Sequence, residues 1–290
     1  MNNVVEKAYA KINLYLDIES RREDGYHNII SIMHSISLCD NIKITPTNDD
    51  EISILCNIDY IPCDRRNLAY RAAEAFFNVM GKRVGIEIEL EKQIPSAAGL
   101  GGGSSDAAAV LRGLNRIFKF PFSLDELCKI GANIGADIPF CVMGGCAEVR
   151  GIGELLEPKI LMPDCYIVLS CSGEGISTPV AYGKLDEKYN NFEDRIASDG
   201  HKEINCALRN SDIHQMCSAM TNIFEEVILP EHFEAKDIKR RMTASGALKA
   251  MMSGSGPSVF GIFDDDKKAK SAFNNLIQAG YTTYICRPKY

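Results

Sequence analysis

The chain has 290 residues, of which 46% are hydrophobic and 24% are charged, and its net charge at pH 7 is −7. This length allows one large domain or two modest ones, and the composition is that of an ordinary soluble globular protein. A protein that binds nucleic acid in general needs a positively charged surface, so the negative net charge argues against this function. Any positive potential for a phosphorylated ligand must therefore be local.

The cysteines and the N-terminus indicate a reducing, cytoplasmic setting. The eleven cysteines are scattered, form no CxxC pair and have no spacing to histidine that suits zinc. The first residues lack the apolar core of an export signal, and no run approaches the roughly 18 apolar residues of a membrane span. We therefore expect mostly buried free thiols and neither a membrane nor a nucleic acid as partner.

The N-terminal segment alternates with the period of a strand. "AYAKINLYLDI" places alternate residues from Ala8 to Leu16 on an apolar face, and Lys11 and Asn13 on the other face. Asp24-Gly25 signals a hairpin turn, after which residues 29–46 predict one or two further strands. Lysines are usually solvated, so the pattern alone leaves Lys11 as either a surface residue or a functional one.

The next stretch predicts a helix, a strand, a glycine-rich loop and a second helix in that order. "NLAYRAAEAFFNVM" is amphipathic, with Asp64 or Asn67 as its N-cap, and residues 84–92 alternate like a strand. "IPSAAGLGGGSSD" follows, and the apolar stripe behind it predicts a helix from about residue 105. A glycine cluster is conformationally costly, so its place before a helix needs a cause.

Phosphate binding supplies such a cause. Backbone N–H groups at a helix N-terminus lack partners, the macrodipole adds partial positive charge there, and glycine lets a phosphate approach closely. The alternative interpretation is a tight structural turn with a serine cap. A Walker A loop needs a lysine that is missing here, and the spacing does not fit the GxGxxG dinucleotide fingerprint.

The remainder of the chain mixes helices and strands without strict alternation. Ser123 and Glu126 predict a capping box, and residues 135–154 predict a loop and a strand in which Asp137 is by pattern a turn or cap residue. A strand over 165–170, a helical region over about 205–228, a glycine-joined strand pair, a helix over 265–279 and a final strand follow. This order favours an α+β fold, with two domains at 1–155 and 156–290.

Three stretches of this sequence resemble the GHMP kinase superfamily, and together they span essentially the whole chain. They are "AYAKINLYLDI", "PSAAGLGGGSSD" and "MSGSGPSVFGIF". The resemblance implies a two-domain α+β fold, with the ATP loop in the N-terminal domain and a ferredoxin-like C-terminal domain. Within the superfamily, the DGYH stretch and "GISTPVAYGKLD" are similar to the kinases of cytidine diphosphate-linked methylerythritol.

The resemblance implies a function and a set of nucleotide-binding residues. The function is ATP-dependent phosphorylation of the 2-hydroxyl of that substrate, in the non-mevalonate route to isoprenoid precursors, with magnesium. The implied catalytic residues are Lys11 and Asp137, and Ser105 is the implied metal ligand. The implied ATP-binding residues are Asn67, Leu68, Lys92, Pro95, Ser96, Ala97, Ala98, Gly99, Leu100, Gly101, Gly102, Gly103, Ser104 and Ser105.

The resemblance also implies a subsite for the cytidine-bearing substrate. Its residues are Tyr26, stacking on cytosine, His27, bonding its polar edge, Tyr182, as a second aromatic wall, and Asn13, near the diphosphate or the reacting hydroxyl. The late segment Ser253–Ser258 is expected either beside the ATP loop or as a plain glycine-rich hairpin. We expect a small-molecule substrate and a monomer or weak homodimer. The alternatives are another GHMP kinase, such as homoserine kinase, and a non-catalytic nucleotide-binding protein.

Overall fold

The computed structural model describes residues 2–82, 84–171, 173, 175–189, 192 and 198–290. The chain forms two compact units, each built from several segments. The first unit comprises Met1–Ala10, Leu38–Pro95 and Gly101–Gly144, and the second comprises Lys11–Ser37, Ser96–Leu100 and Gly145–Tyr290. Two long strands, β1 (Val4–Arg21) and β2 (His27–Pro46), contribute residues to both units. The domain boundary after residue 155 stays a prediction.

In the first unit, β3 (Ile52–Cys56) lies parallel to β4 (Ile86–Glu91), which lies antiparallel to the end of β2. Ile88 pairs with Ile54 on one side and with Ile44 on the other, and all three side chains are buried. This is the expected result of period-two alternation, since residues in register share one face of the sheet. The predicted strand over 84–92 is confirmed.

Four helices complete the first unit: α1 (Leu68–Met80), α2 (Gly102–Ile117), α3 (Leu124–Ala132) and α4 (Ile138–Met143). Of the two predicted caps of α1, Asn67 is the one used: its side-chain oxygen accepts the Ala69 N–H at 2.9 Å. The predicted capping box at the start of α3 is also present.

The short helix α4 corrects the sequence analysis, which predicts a loop there. Six residues are too few for a clear helical period, and the glycines on both sides favour a loop. Pro139 occupies the first turn of α4, where the missing N–H of proline costs no hydrogen bond.

The remaining parts of β1 and β2 lie in the second unit, where they pair with short strands. Strand β5 (Cys146–Gly151) pairs antiparallel with β2 and with β6 (Leu155–Pro158), and β8 (Thr221–Asn222) pairs parallel with β1. The helices α5 (Thr178–Lys188), α6 (Gly200–Arg209), α7 (Ile213–Ala219) and α8 (Glu225–Ile228) belong to the same unit.

The long helical region predicted over about 205–228 is divided in the structure into α6, α7 and α8, with the short strand β8 between the last two. Ser211 adopts a φ of 52°, which ends α6, and the side chain of Asp212 accepts the Gln215 N–H at 2.9 Å to begin α7. The local signals for a stop and a restart therefore outweigh the helical period of the surrounding residues.

The C-terminal part of the second unit has the predicted ferredoxin-like topology. Strands β7 (Tyr166–Cys171), β9 (Lys249–Met252), β10 (Val259–Phe263) and β11 (Thr282–Cys286) form an antiparallel sheet in the order β11-β7-β10-β9. With α9 (Phe233–Ala244) and α10 (Asp266–Gln278), the chain order is βαββαβ. The two helices bury Ile238, Met242 and Leu276 in a core shared with the sheet.

Among the described residues, no helix combines the length and the apolar character needed to cross a membrane.

Candidate active site

The glycine-rich segment links β4 to α2 and leaves the start of that helix open. Gly99 and Gly101 have φ values of 75° and 68°, in the left-handed region that favours glycine. Gly101 is the N-cap residue of α2 and has no side chain to accept a hydrogen bond. The helix begins at Gly102, about three residues earlier than predicted, so Gly102 and Gly103 form part of its first turn.

This first turn has the properties of an anion site. Its N–H groups have no partner within the helix, no acidic side chain lies in the turn, and Gly103 is exposed. A Cβ atom added at Gly103 would contact only Leu68 Cδ1, at 3.5 Å, so the space in front of this turn is open. The arrangement therefore fits a phosphate group.

Ser105 differs from the glycines before it because its side chain is buried. Only 1% of the residue is exposed, and its hydroxyl donates to the Tyr9 carbonyl at 2.7 Å. The hydroxyl oxygen can still accept a hydrogen bond or ligate a metal ion, but its proton is donated to the Tyr9 carbonyl. The predicted metal role of Ser105 stays a prediction.

Lys92, at the other end of the loop, forms a buried ionic cluster with two aspartates. Its Nζ lies 2.5 Å from Asp40 Oδ2 and 2.5 Å from Asp106 Oδ2. The second oxygen of Asp40 accepts the N–H groups of Gln93 and Ile94, at 2.5 and 2.8 Å. This cluster therefore joins β2, the residues after β4 and the second turn of α2.

Burial and charge act in opposite directions in this cluster. Burial by itself would lower the pKa of Lys92, but the charges of Asp106 and Asp40 outweigh it and raise that pKa. Burial is also the largest influence on Asp106 and raises its pKa, against the attraction of Lys92. The second oxygen of Asp106 is buried with no hydrogen-bond partner in the described part of the chain. The ammonium group of Lys92 is already paired with two buried carboxylates. Its predicted approach to the ATP sugar or phosphates stays a prediction.

Asn67 and Leu68 lie at the start of α1. Besides capping the helix, Asn67 donates through Nδ2 to the Pro62 carbonyl at 2.8 Å, and only 8% of the residue is exposed. Leu68 is half-buried near Gly103. Their predicted contact with adenine stays a prediction.

Asp137 occupies the N-cap position of α4 and is half-buried, yet its side chain makes no capping hydrogen bond. This position agrees with the sequence pattern, which predicts a turn or cap residue. Its catalytic role stays a prediction.

In the second unit, Lys11 is not the surface lysine that its position on the strand allowed. It is 5% exposed, and its backbone N–H donates to the Leu100 carbonyl of the glycine-rich segment at 3.0 Å. Its Nζ donates to Asn13 Oδ1 at 2.9 Å, and Asn13 Nδ2 donates in turn to Ser31 Oγ at 2.8 Å. Both faces of this part of β1 are buried, so Lys11 and Asn13 are held in fixed orientations.

The second glycine segment packs on the first, which is one of the two arrangements that the sequence analysis leaves open. Ser253 Oγ donates to the Gly99 carbonyl at 3.0 Å, and a Cβ atom at Gly99 would lie 2.0 Å from the Ser253 carbonyl oxygen. A Cβ atom at Gly254 would lie 3.5 Å from Lys11 Nζ. The two glycine segments and the Lys11 ammonium therefore meet within the second unit.

The predicted cytidine residues also lie in the second unit. His27 and Tyr182 stack with ring centroids 4.8 Å apart, and His27 Nε2 lies 2.7 Å from Asp186 Oδ1. Tyr26 is 61% exposed in the turn before β2. The contacts of these residues with a base stay predictions.

The sequence analysis misses several residues that these contacts make important. Asp40, Asp106, Ser31 and Asp186 hold the side chains of predicted site residues. Asp186 follows Tyr182 by four residues, so helical spacing alone would have placed them on one face. Asp106 lies in the apolar run behind the loop, and a charged residue in such a run signals a buried partner.

Comparison with known proteins agrees with the fold. Residues 67–145 match the model of the GHMP kinases N terminal domain, and residues 206–282 match that of the GHMP kinases C terminal domain. The 4-diphosphocytidyl-2-C-methyl-D-erythritol kinase of Exiguobacterium sibiricum is 42% identical over 98% of this chain and 97% of its own length. The chain therefore belongs to the GHMP kinases and, within them, to the family of 4-diphosphocytidyl-2-C-methyl-D-erythritol kinases.

Solved structures show the same relationship. A crystal structure of 4-(cytidine 5'-diphospho)-2C-methyl-D-erythritol kinase matches with a TM-score of 0.82 and 32% identity, covering 99% of this chain and 100% of that one. The homoserine kinase of Cytophaga hutchinsonii has a TM-score of 0.78 but only 17% identity, covering 100% of this chain and 95% of that one. The second similarity shows the fold alone.

Removing the charge of Lys92 is expected to destabilise the first unit strongly. Lys92→Met leaves two buried carboxylates without a cation, which typically costs about 3–5 kcal/mol. The matched control is Lys43→Met, because Lys43 of β2 pairs with Glu89 of β4 in the same unit but its side chain is 41% exposed. Urea unfolding should show a much larger loss of stability for Lys92→Met. Equal losses in the two variants would contradict the structural role of the cluster.

Proposed function

We propose that this chain transfers the γ-phosphoryl group of ATP to the 2-hydroxyl of 4-diphosphocytidyl-2-C-methyl-D-erythritol, giving the 2-phosphate and ADP. The observation that carries the proposal is the 42% identity to a kinase of that name over 98% of the chain. The open first turn of α2 supports a phosphate ligand, and the aromatic group around His27 supports a planar base. The reaction is a step of the non-mevalonate route to isoprenoid precursors.

The first turn of α2 is the proposed site of the ATP phosphates. Without a loop lysine, their charge must be offset by backbone amides, a metal ion and side chains from elsewhere. Lys11 supports this arrangement, since its backbone bonds to Leu100 and its ammonium lies next to the Gly254 turn.

Magnesium is the proposed metal partner of ATP. The described residues contain no group of three or more His, Cys, Asp or Glu side chains that would hold a metal ion. Magnesium is commonly held by one or two protein groups together with substrate phosphates. Ser105 is the proposed protein ligand, and the ion would offset charge on the phosphates.

Asp137 is the proposed carboxylate of the transfer step. Aspartate has a reference pKa of about 3.9 and an alcohol one near that of water, about 15.7. Full deprotonation before attack would therefore cost roughly 12 units, or about 16 kcal/mol. In a loose phosphoryl-transfer transition state the nucleophile keeps its proton until late. We propose that Asp137 orients the hydroxyl and accepts its proton late, while Lys11 offsets charge on the transferred group.

The cytidine end of the substrate is assigned to the residues around His27. Tyr26 and Tyr182 would supply stacking surfaces, worth about 1–3 kcal/mol per base. Asn13 is the proposed contact of the diphosphate or of the reacting hydroxyl, supported by its bond to Lys11. Stacking would fix the orientation of the base, and polar contacts would determine which base is accepted.

The proposed acceptor is tested by a panel of alcohols in a coupled assay of ADP release with magnesium. We expect turnover with 4-diphosphocytidyl-2-C-methyl-D-erythritol and none with L-homoserine or mevalonate, because only the first carries a base for the His27 subsite. Preference for L-homoserine would favour the alternative of a homoserine kinase. ATP binding without turnover on any acceptor would favour a non-catalytic nucleotide-binding protein.

Replacing the proposed catalytic carboxylate should slow the chemical step. Asp137→Asn keeps the size of the side chain but cannot accept the proton, so kcat is expected to fall by about 10²-fold or more. Asp59→Asn, an exposed aspartate of the first unit with the same substitution, serves as the control. Undiminished kcat in Asp137→Asn would remove Asp137 from the mechanism.

Blocking the first turn of α2 should separate stability from ATP binding. In Gly103→Ala the added methyl fits sterically and favours the helix by roughly 0.5–1 kcal/mol, but it keeps a phosphate away from the amides. We expect an unchanged or higher Tm with a KM for ATP raised about 10-fold, the cost of one charge-assisted hydrogen bond. Gly183→Ala in α5 is the control, since a Cβ atom at that position would meet nothing within 4 Å. An unchanged KM for ATP in Gly103→Ala would place the phosphates elsewhere.

A further inference from the structure

We propose that Asp186 is a positioning residue: it fixes which ring nitrogen of His27 faces the substrate base and thereby makes the site select cytosine over uracil. The inference rests on the proposed function and extends it to a residue that the sequence analysis does not single out. Its basis is the set of contacts around the imidazole ring in the second unit.

The ring of His27 is enclosed by other side chains. His27 begins β2, directly after the exposed turn of Tyr26, and only 5% of the residue is exposed. Tyr182 stacks on the ring at an interplanar angle of 21°, and Phe192 meets it edge-on, with centroids 5.4 Å apart and an angle of 81°. A ring packed in this way does not turn over freely, so its two nitrogens keep their directions.

The hydrogen bond to Asp186 determines the proton position. His27 Nε2 lies 2.7 Å from Asp186 Oδ1, and a carboxylate only accepts, so Nε2 carries the hydrogen and donates. The other carboxylate oxygen, Oδ2, lies 3.5 Å from the guanidinium of Arg21. In the neutral imidazole, Nδ1 then holds a lone pair and acts as an acceptor. The structure gives Nδ1 no hydrogen-bond partner among the described residues.

One helix supplies both constraints on the imidazole. Tyr182 and Asp186 are four residues apart on α5, so they lie on the same face of the helix. The intervening Leu185 is fully buried in a core cluster that also contains Ala181, Phe192 and Phe224. The position of Asp186 is therefore set by packing on both sides, as a positioning role requires.

An acceptor at Nδ1 distinguishes the two pyrimidines. Cytosine presents a 4-amino donor at the position where uracil presents a carbonyl acceptor. His27 in this tautomer accepts from the cytosine amino group, whereas the uracil oxygen would face a second lone pair. Without Asp186 the ring is free to carry its proton on either nitrogen, and the penalty against uracil falls.

The test compares wild type with Asp186→Ala on 4-diphosphocytidyl-2-C-methyl-D-erythritol and on its uridine counterpart. We expect the ratio of kcat/KM for cytidine over uridine to fall about 10-fold or more, within the discrimination of a single base contact. The change should lie in KM, with kcat for the cytidine substrate nearly unchanged, because the contact is distant from the transferred phosphoryl group. Glu187→Ala is the matched control, since it removes the neighbouring carboxylate on the same helix, where Glu187 is exposed.

A second measurement follows the proton directly. ¹⁵N NMR of histidine-labelled protein, with the His27 signals assigned from a His27→Gln sample, should show the Nε2–H tautomer in wild type and in Glu187→Ala. Asp186→Ala should show a mixture of tautomers. This measurement needs no substrate and reports folding of the variant at the same time.

The outcomes separate this inference from the function on which it rests. If wild type phosphorylates the cytidine substrate and Asp186→Ala keeps the wild-type base ratio, the positioning role of Asp186 is wrong. An Nδ1–H tautomer in the wild-type protein would overturn it as well. If wild type phosphorylates neither nucleotide substrate, the proposed function itself fails, and base selection by His27 fails with it.

Discussion

The buried cluster of Lys92, Asp40 and Asp106 anchors the glycine-rich segment at both ends. Asp40 holds the two N–H groups before the segment, and Asp106 holds the helix after it, while Lys92 joins the two carboxylates. Charges buried to this degree are costly unless they are paired and hydrogen-bonded. The cluster therefore tolerates few alternative arrangements, and the start of α2 is fixed by the same requirement.

The anchored segment leaves its amides available while its carbonyls are engaged. Leu100 accepts from the backbone of Lys11, and Gly99 accepts from Ser253. The first turn of α2 has neither a side-chain cap nor an acidic residue that would occupy its N–H groups. Polar groups that are fixed in advance stabilise developing charge without reorganising, which is the condition that phosphoryl transfer places on a protein.

Side chains of predicted function are held by neighbours throughout the second unit. Asn13 orients the ammonium of Lys11 and is itself bonded to Ser31, and Asp186 and Tyr182 hold His27. Asn13 and His27 are in turn fixed by residues distant in sequence, 18 and 159 positions away. The residues predicted to contact the substrate are thus held by a layer of residues behind them.

The sequence by itself determined the features that depend on neighbours along the chain. The strand before the glycine segment, the helix after it, the capping box at Ser123 and the βαββαβ order follow from local period and local hydrogen bonding. The family resemblance depends on such stretches, and so does the exclusion of a Walker loop. Where local signals were short or in conflict, at α4 and around Ser211, the prediction failed.

Only the tertiary structure decided which side chains meet across the fold. Lys92 and Asp40 are 52 residues apart, and His27 and Asp186 are 159 apart, so no spacing in the sequence reports their contact. The sequence likewise left open whether Lys11 is a solvated surface residue or a functional one. Burial on both faces of β1 shows that its side chain is buried and held in one orientation. The physical reason is that desolvation and charge pairing depend on what folding brings near a group, whereas helix and strand periods depend on the group's own segment.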